Sequence, residues 1–179
     1  SRLLLGRRGT EHLIGGEQVG DSFVLISGPG IYRAPLQSSE IGVERIYRPV
    51  TDGAVFATGT DVAFTGSGEA LETFAPVYVR GARDGSNNLT ISWLRRDRLS
   101  QTLRSGVPLP LSEASESYEI DILNVSDVVL RTLTSSVDSV AYSAAQQTTD
   151  FGGPQAAVKV RIYQLSAIVG RGTPAEATI

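Results

Sequence analysis

Glycine, proline and clusters of serine and threonine interrupt every apolar stretch of this chain before three helical turns could form. The 179 residues include 19 glycines and 8 prolines. A helix needs a 3.6-residue apolar period over about eleven positions, whereas a strand needs only about four to eight alternating residues. The sequence therefore predicts an all-β protein built from short strands.

The most regular alternation lies in the C-terminal half of the chain. Three predicted strands present apolar side chains to one face: Leu89, Ile91 and Trp93; Tyr118, Ile120 and Ile122; Val158, Val160 and Ile162. Successive side chains of a strand point to opposite sides, so these faces are expected to form one core. Its predicted structural core residues are Trp93, Ile91, Tyr118, Ile120 and Val160. Strands about ten residues apart with turns between them favour an antiparallel sandwich.

The domain organisation follows from shifts in composition. Residues 1–57 predict a small β-rich module with apolar runs at 23–27 and 41–50. Residues 58–74 are rich in glycine, threonine and serine and predict a junction, with only Val62 and Phe64 to bury. Residues 75–179 predict the sandwich. Within it, the alternation breaks after Ile162, which predicts a bulge or a change of face.

Charge and composition exclude several function classes. The net charge of −3 arises from 16 basic and 19 acidic residues without long runs, so no nucleic-acid surface is predicted. The absence of cysteine excludes disulfides and thiolate metal sites. No apolar stretch approaches the roughly 18 residues of a membrane-spanning helix. Because the chain also lacks methionine, we expect it to begin inside a longer gene product, as a C-terminal piece.

No catalytic or cofactor site is predicted. His12 is the only histidine, so a catalytic triad or a histidine metal site would depend on it, and we interpret it as a surface residue. Ser67 lacks the G-x-S-x-G frame of a nucleophile elbow. Glu119 and Asp121 lie two apart on a strand, a spacing from which carboxylates can flank a glycosidic bond, but a solvated acidic face is the preferred interpretation. Glu113 and Glu116 are interpreted in the same way.

Two further patterns have competing interpretations. Asp84, Ser86 and Asn88 copy the first ligands of a calcium loop, but Leu89 occupies the position of the sharp-turn glycine, so a strand-connecting turn is predicted. A basic stretch follows the tryptophan strand and comprises Arg95, Arg96, Arg98 and Arg104. It is interpreted as a solvated strand end and loop, the alternative being a surface for an acidic neighbour or an anionic polysaccharide.

Residues 89–93, LTISW, resemble the second strand of fibronectin type III domains. Residues 170–175, GRGTPA, resemble the G-x-G-x-P-S ending of the same domains. The resemblance implies a fibronectin type III-like antiparallel sandwich over 75–179. The connection over 100–115, with Pro108 and Pro110, is longer than in many such domains.

A narrower resemblance extends over most of the chain. Its motifs are LGRRGTE at 5–11, ISWLRR at 91–96, SESYEI at 115–120, and YQLSA at 163–167 followed by VGRG at 169–172. In this order they look like the C-terminal region of tail-tip host-specificity proteins of long-tailed bacteriophages and alphaproteobacterial gene transfer agents. No binding residue of that family can be assigned to a position of this sequence.

The resemblance implies a structural and adhesive module of a tail tip or baseplate that supports attachment to the host surface. The implied partners are other tail-tip proteins and the rest of its own chain, which would form a homotrimer, with a host surface polysaccharide or receptor as a further candidate. The implied location is the tail tip of a virion assembled in the bacterial cytoplasm. The alternative is a carbohydrate-binding or adhesion module of a bacterial surface or secreted protein. An enzyme ranks third.

Overall fold

The computed structural model describes residues 15, 18–20, 35–98 and 109–179. The chain divides into two compact units, one formed by Gly16–Ala70 and one that includes Leu71–Ile179. The predicted junction over 58–74 has its own structure in part, because it contains the strand Val62–Thr65 and a 3-10 helix at Glu69–Leu71. The predicted apolar run at 23–27 lies outside the described residues.

The smaller unit is built around an antiparallel pair of strands, β1 (Glu44–Tyr47) and β2 (Val62–Thr65). The first strand lies within the predicted run at 41–50. A 3-10 helix precedes each strand in the sequence, at Ser38–Glu40 and at Phe56–Thr58. Tyr47 and Phe64 meet edge to face with ring centroids 6.4 Å apart. Phe64 is nevertheless 57% exposed, so the pair buries little apolar surface among the described residues.

The larger unit contains two antiparallel sheets. The first has the strand order β3 (Val77–Arg83), β4 (Leu89–Leu94), β7 (Ser139–Tyr142). The second has the order β10 (Ala175–Thr178), β8 (Lys159–Ser166), β5 (Tyr118–Leu123), β6 (Val129–Ser135), and β9 (Gly170–Arg171) pairs with the end of β8. This is the strand order of a fibronectin type III domain. The predicted all-β fold with a fibronectin type III-like antiparallel sandwich is confirmed.

The core lies between the two sheets. Trp93, Ile91, Tyr118, Ile120 and Val160 are all buried, and each is at most 2% exposed. The indole of Trp93 meets the Tyr118 ring edge to face at 5.0 Å. Burying a tryptophan removes about 150–250 Å² from water, which is worth about 4–6 kcal/mol before conformational entropy is subtracted. Burial also raises the pKa of Tyr118, whose hydroxyl donates to Glu116 at 2.6 Å.

The predicted break of alternation after Ile162 is wrong. Strand β8 alternates regularly to its end, and its last two inward residues are the polar Gln164 and Ser166. The Gln164 carbonyl accepts hydrogen bonds from the Thr73 hydroxyl at 2.6 Å and the Gly172 amide at 3.0 Å. A Cβ atom on Gly172 would lie 2.0 Å from the Thr73 Oγ1, so only glycine fits there. Polar residues at inward positions hid the strand's regularity.

One α-helix, α1 (Ala144–Phe151), follows β7 and is absent from the sequence-based expectations. Its eight residues are fewer than an apolar helical period needs to become recognisable. Local signals do mark it: Ser143 and Gln146 form a capping box, and Gly152 ends the helix with φ of 84°. The strand patterns therefore predicted the sheets, but the short helix that connects β7 to β8 was not predicted.

Two loops at the same end of the sandwich use one turn design. Asp84 accepts the backbone N–H groups of Ser86 and Asn88, and Asn124 accepts those of Ser126 and Val128. A short polar side chain that bonds its own backbone two residues on is typical of tight turns. The prediction of a strand-connecting turn at 84–88 is confirmed.

Candidate binding face on the three-stranded sheet

The outer face of the β3-β4-β7 sheet has short side chains at its centre. The register pairs Arg80 with Ser92 and Ser92 with Ser139, so these residues form one row across three strands. Neighbouring strands are about 4.8 Å apart, which makes the row about 10 Å long. The next row has even smaller side chains and consists of Ala82, Thr90 and Ala141. The result is a shallow floor of hydroxyl and methyl groups.

Tyr78 stands at one edge of this floor. Its backbone has φ of 53°, and the β3 register shifts between Val77 and Arg80, which marks a β-bulge. Val79 still packs against the core, so the bulge leaves the Tyr78 ring on the outside, 69% exposed. A left-handed backbone costs a non-glycine residue about 1–2 kcal/mol, and such strain is concentrated at functional positions.

Two charged residues flank the floor on opposite sides. Arg80 lies on β3, and Asp138 directly precedes β7. Both side chains are exposed, and neither forms an ion pair or a side-chain hydrogen bond within the described residues. In most of the sandwich, by contrast, arginines are paired with nearby acids, as Arg161 is with Glu176 at 2.6 Å. Arg80 and Asp138 are therefore available to a ligand.

Together these residues form a cavity of about 550 Å³, lined by Tyr78, Arg80, Ser92, Leu94, Asp138 and Ser139. A second cavity of about 600 Å³ shares Leu94 and Asp138 with it and extends to Leu109 and Val137. Leu94, Leu109 and Val137 are 52%, 45% and 54% exposed. We call this continuous surface, defined by Tyr78, Arg80, Ser92, Leu94, Val137 and Asp138, the β3-β4-β7 face. An exposed apolar patch with a polar rim is typical of a binding site.

The basic stretch after the tryptophan strand does not form an open patch in the described residues. Arg95 donates to the carbonyls of Leu109 and Pro110, both at 2.6 Å. Arg98 pairs with Glu113 at 3.0 Å, and Arg96 lies over the Phe74 ring at 5.2 Å. Arg95 and Arg98 thus hold residues 109–113, the described end of the long connection between β4 and β5. Arg95, Arg96 and Arg98, which the sequence analysis interpreted as solvated, therefore contact other parts of the protein. Arg104 lies outside the described residues.

The prediction of a solvated acidic face at Glu119 and Asp121 is wrong for Asp121, which is only 2% exposed. Arg171 on β9 reaches across β8, donates to Asp121 at 2.7 Å and to Glu119 at 2.6 Å, and lies 4.4 Å above the Tyr163 ring. The Asp121 carboxylate raises the pKa of Arg171, with a further contribution from Glu119. This cluster is an ion-pair network in which Arg171 covers the buried Asp121 and stays partly exposed itself. Glu113 is likewise mostly buried by Arg98, while Glu116 accepts the Tyr118 hydroxyl.

Two other residues were weighed in the sequence as candidates for catalysis, His12 and Ser67. His12 lies outside the described residues, and Ser67 is exposed on a loop of the smaller unit. Within the described part of the chain, no group of three or more His, Asp or Glu side chains is arranged to hold a metal ion. No helix of that part is long and apolar enough to cross a membrane.

Comparison with known proteins gives distant fold likenesses. No family model matches the chain, and no curated protein matches it. Domains d3-d4 of the rat CD45 extracellular region align with 93% of this chain and 79% of their own, at 10% identity and a TM-score of 0.42. The FN5 domain of Drosophila Lar aligns with 60% of this chain and 94% of its own, at 11% identity and a TM-score of 0.37. The fold assignment rests on the strand order of the chain itself.

Sequence reasoning did not identify the β3-β4-β7 face. Its residues point outward from strands whose inward residues were used to predict the core. Alternation therefore predicted that they lie on a surface, but it indicated no function for them. Arg80, Ser92 and Ser139 lie in one row only because β4 pairs with both β3 and β7, and the sequence does not show which strands are neighbours. The local signal that was available is Tyr78 and Arg80, an aromatic and a basic residue on one predicted strand.

Proposed function

We propose that this chain is a non-catalytic attachment module of a phage or gene-transfer-agent tail tip, and that the β3-β4-β7 face contacts the host surface. The sequence motifs at 5–11, 91–96, 115–120 and 163–172 motivate the tail-tip setting. The face motivates the attachment role, since it combines an exposed aromatic ring, exposed apolar side chains and free charges on one rigid sheet.

The observation that carries the proposal is that Arg80 and Asp138 have no ion-pair partner among the described residues, where the other charges of the sandwich are largely paired. Unpaired charges beside exposed Tyr78 and Leu94 contribute little to folding. They are suited to recognition, because charged and aromatic groups give orientation and specificity at an interface. A face built on three hydrogen-bonded strands is also preorganised, which lowers the entropy cost of binding.

In this proposal the isolated chain is monomeric, and three copies act together only within the parent protein. Linking copies converts later contacts into intramolecular ones and strengthens weak binding without new contacts. A bacterial surface or secreted adhesion module remains the second candidate, and the same face favours it. The two candidates differ in location, which a map of the intact particle distinguishes.

The proposal is tested with the chain fused to a trimerisation tag and applied to cells of the host bacterium. We expect the trimer to bind cells more strongly than the monomer. Leu94→Asp should abolish this binding, because it places a charge in the apolar part of the face.

Ile168→Asp is the matched control, since Ile168 is 50% exposed, close to the 52% of Leu94, and lies outside the face. It should bind like the unmodified trimer, and both variants should melt like the parent. Absence of cell binding by the trimer, or equal loss of binding in both variants, would contradict the proposal.

A further inference from the structure

The chemistry of the β3-β4-β7 face narrows the class of ligand. Its floor offers hydroxyl groups from Thr90, Ser92 and Ser139, and among the described residues the cavity above it is shallow and open to solvent rather than a deep apolar pocket. Protein interfaces gain most of their affinity from large side chains inserted into such pockets. A flat floor of short side chains is better matched by a ligand that presents many hydroxyl groups along an extended surface.

The Tyr78 ring adds a platform at the edge of this floor. The bulge and the packing of the neighbouring Val79 place its backbone so that the ring lies on the outer face, 69% exposed. An aromatic ring has only two side-chain torsions, so it contributes apolar contact area at little cost in side-chain entropy. The C–H face of a pyranose ring is an apolar surface of matching shape, whose hydroxyl groups point sideways towards the floor.

The free charges complete the match. Arg80 offers a planar guanidinium, which forms paired hydrogen bonds with a carboxylate. Asp138 offers a carboxylate that accepts hydrogen bonds from neighbouring hydroxyl groups. The row from Arg80 to Ser139 is about 10 Å long, so it accommodates a short stretch of a polymer rather than one small molecule.

We propose that the β3-β4-β7 face binds an acidic polysaccharide that contains uronic acid units. A uronate carboxylate pairs with Arg80, the adjoining sugar ring stacks on Tyr78, and hydroxyl groups bond to Ser92, Ser139 and Asp138. This inference rests on the proposed attachment role, which it makes more specific by naming the ligand class.

The test is biosensor binding of polygalacturonate to the full chain immobilised at high density. Neutral dextran and dextran sulfate are the comparison polymers. Arg80→Gln removes the carboxylate partner, and Tyr78→Asn removes the ring while keeping a residue that tolerates positive φ. Arg161→Gln is the matched control, because it removes the same charge from the other sheet.

We expect polygalacturonate to bind, and Arg80→Gln and Tyr78→Asn each to weaken this binding about tenfold. The first variant loses a charge-assisted contact and the second loses the apolar area of a stacked ring. Arg161→Gln should stay within about twofold of the parent, and dextran should not bind. Tyr78 and Arg80 are exposed, and Arg161 is half-buried in a surface ion pair with Glu176. Surface ion pairs contribute about 0–1 kcal/mol, so all three variants should melt close to the parent's temperature.

Equal weakening by Arg80→Gln and Arg161→Gln, with dextran sulfate bound as tightly as polygalacturonate, would show simple polyanion attraction and overturn the inference. An unchanged affinity in Tyr78→Asn, or no binding of polygalacturonate, would also overturn it. If the trimer binds host cells through a protein receptor instead, this inference fails while the attachment role stands.

Discussion

Gln147 connects four segments at one end of the sandwich. Its amide nitrogen donates to the carbonyls of Asn87 at 3.0 Å and Tyr142 at 3.1 Å. Its amide oxygen accepts from the Arg83 guanidinium at 3.0 Å and the Gln155 backbone N–H at 3.3 Å. The side chain is fully buried on α1 and uses all four of its hydrogen-bonding positions. Its removal should therefore destabilise the whole sandwich.

Gln147→Leu keeps a similar volume and removes all four bonds. Arg83 and Asn87 retain a hydrogen bond to each other at 3.3 Å, so the cost falls chiefly on the backbone groups of Tyr142 and Gln155. A buried polar group without a partner costs about 1–3 kcal/mol, and the added apolar side chain returns about 1 kcal/mol. With two such groups, we expect the free energy of unfolding to fall by about 1–5 kcal/mol.

The assay is urea unfolding followed by the fluorescence of Trp93, the only tryptophan. Thr148→Ala is the matched control on the same helix, because Thr148 is exposed, and it should change stability by no more than about 0.5 kcal/mol. Amide exchange along α1 detects the case in which the helix detaches before the sheets unfold. A Leu variant that matches the control in both measurements would refute the reasoning.

Three other predictions concern stability. Trp93→Ala should lower the free energy of unfolding by about 3–5 kcal/mol, as other losses of large core side chains do, and chemical unfolding followed by circular dichroism measures it. The Arg131 hydrogen bond lowers the pKa of Asp150, and this carboxylate contributes stability that is present above its unfolded pKa of about 4 and lost as pH falls through the folded value. The stability gap between the parent and Asp150→Asn should therefore narrow between pH 7 and about pH 3, and an unchanged gap would contradict this. Gly172→Ala should destabilise by about 1–3 kcal/mol, while Gly153→Ala, where nothing lies within 4 Å of the added carbon, should be nearly neutral.

The sheets were predictable because strand signals are local. The alternation through Ile91, Trp93 and Ile120 specifies which side of each strand faces the core, whatever its neighbours are. Two features depended on distant segments and were not predictable. Asp121 is buried by Arg171, which lies 50 residues later. Gln164 occupies an inward position of β8 where Thr73 and Gly172, from distant segments, bond to its backbone carbonyl.

The binding face belongs to the same class of long-range features. Its groups come from three strands, whereas the sequence offered only the basic stretch after Trp93 as an alternative candidate surface for an acidic partner. In the described residues Arg95 and Arg98 bond to residues 109–113, whereas Arg80 has no ion-pair partner there. Free charges are distinguished from paired ones only by tertiary contacts, so the sequence could supply candidates but not choose among them.

The attachment account is tested most directly by a cryo-EM map of the intact particle that carries this chain. The account predicts density for the sandwich at the tail tip in three copies, with the β3-β4-β7 face open to solvent. A sandwich located elsewhere in the particle, or one at the tip with Tyr78 and Arg80 buried against another tail protein, would contradict it.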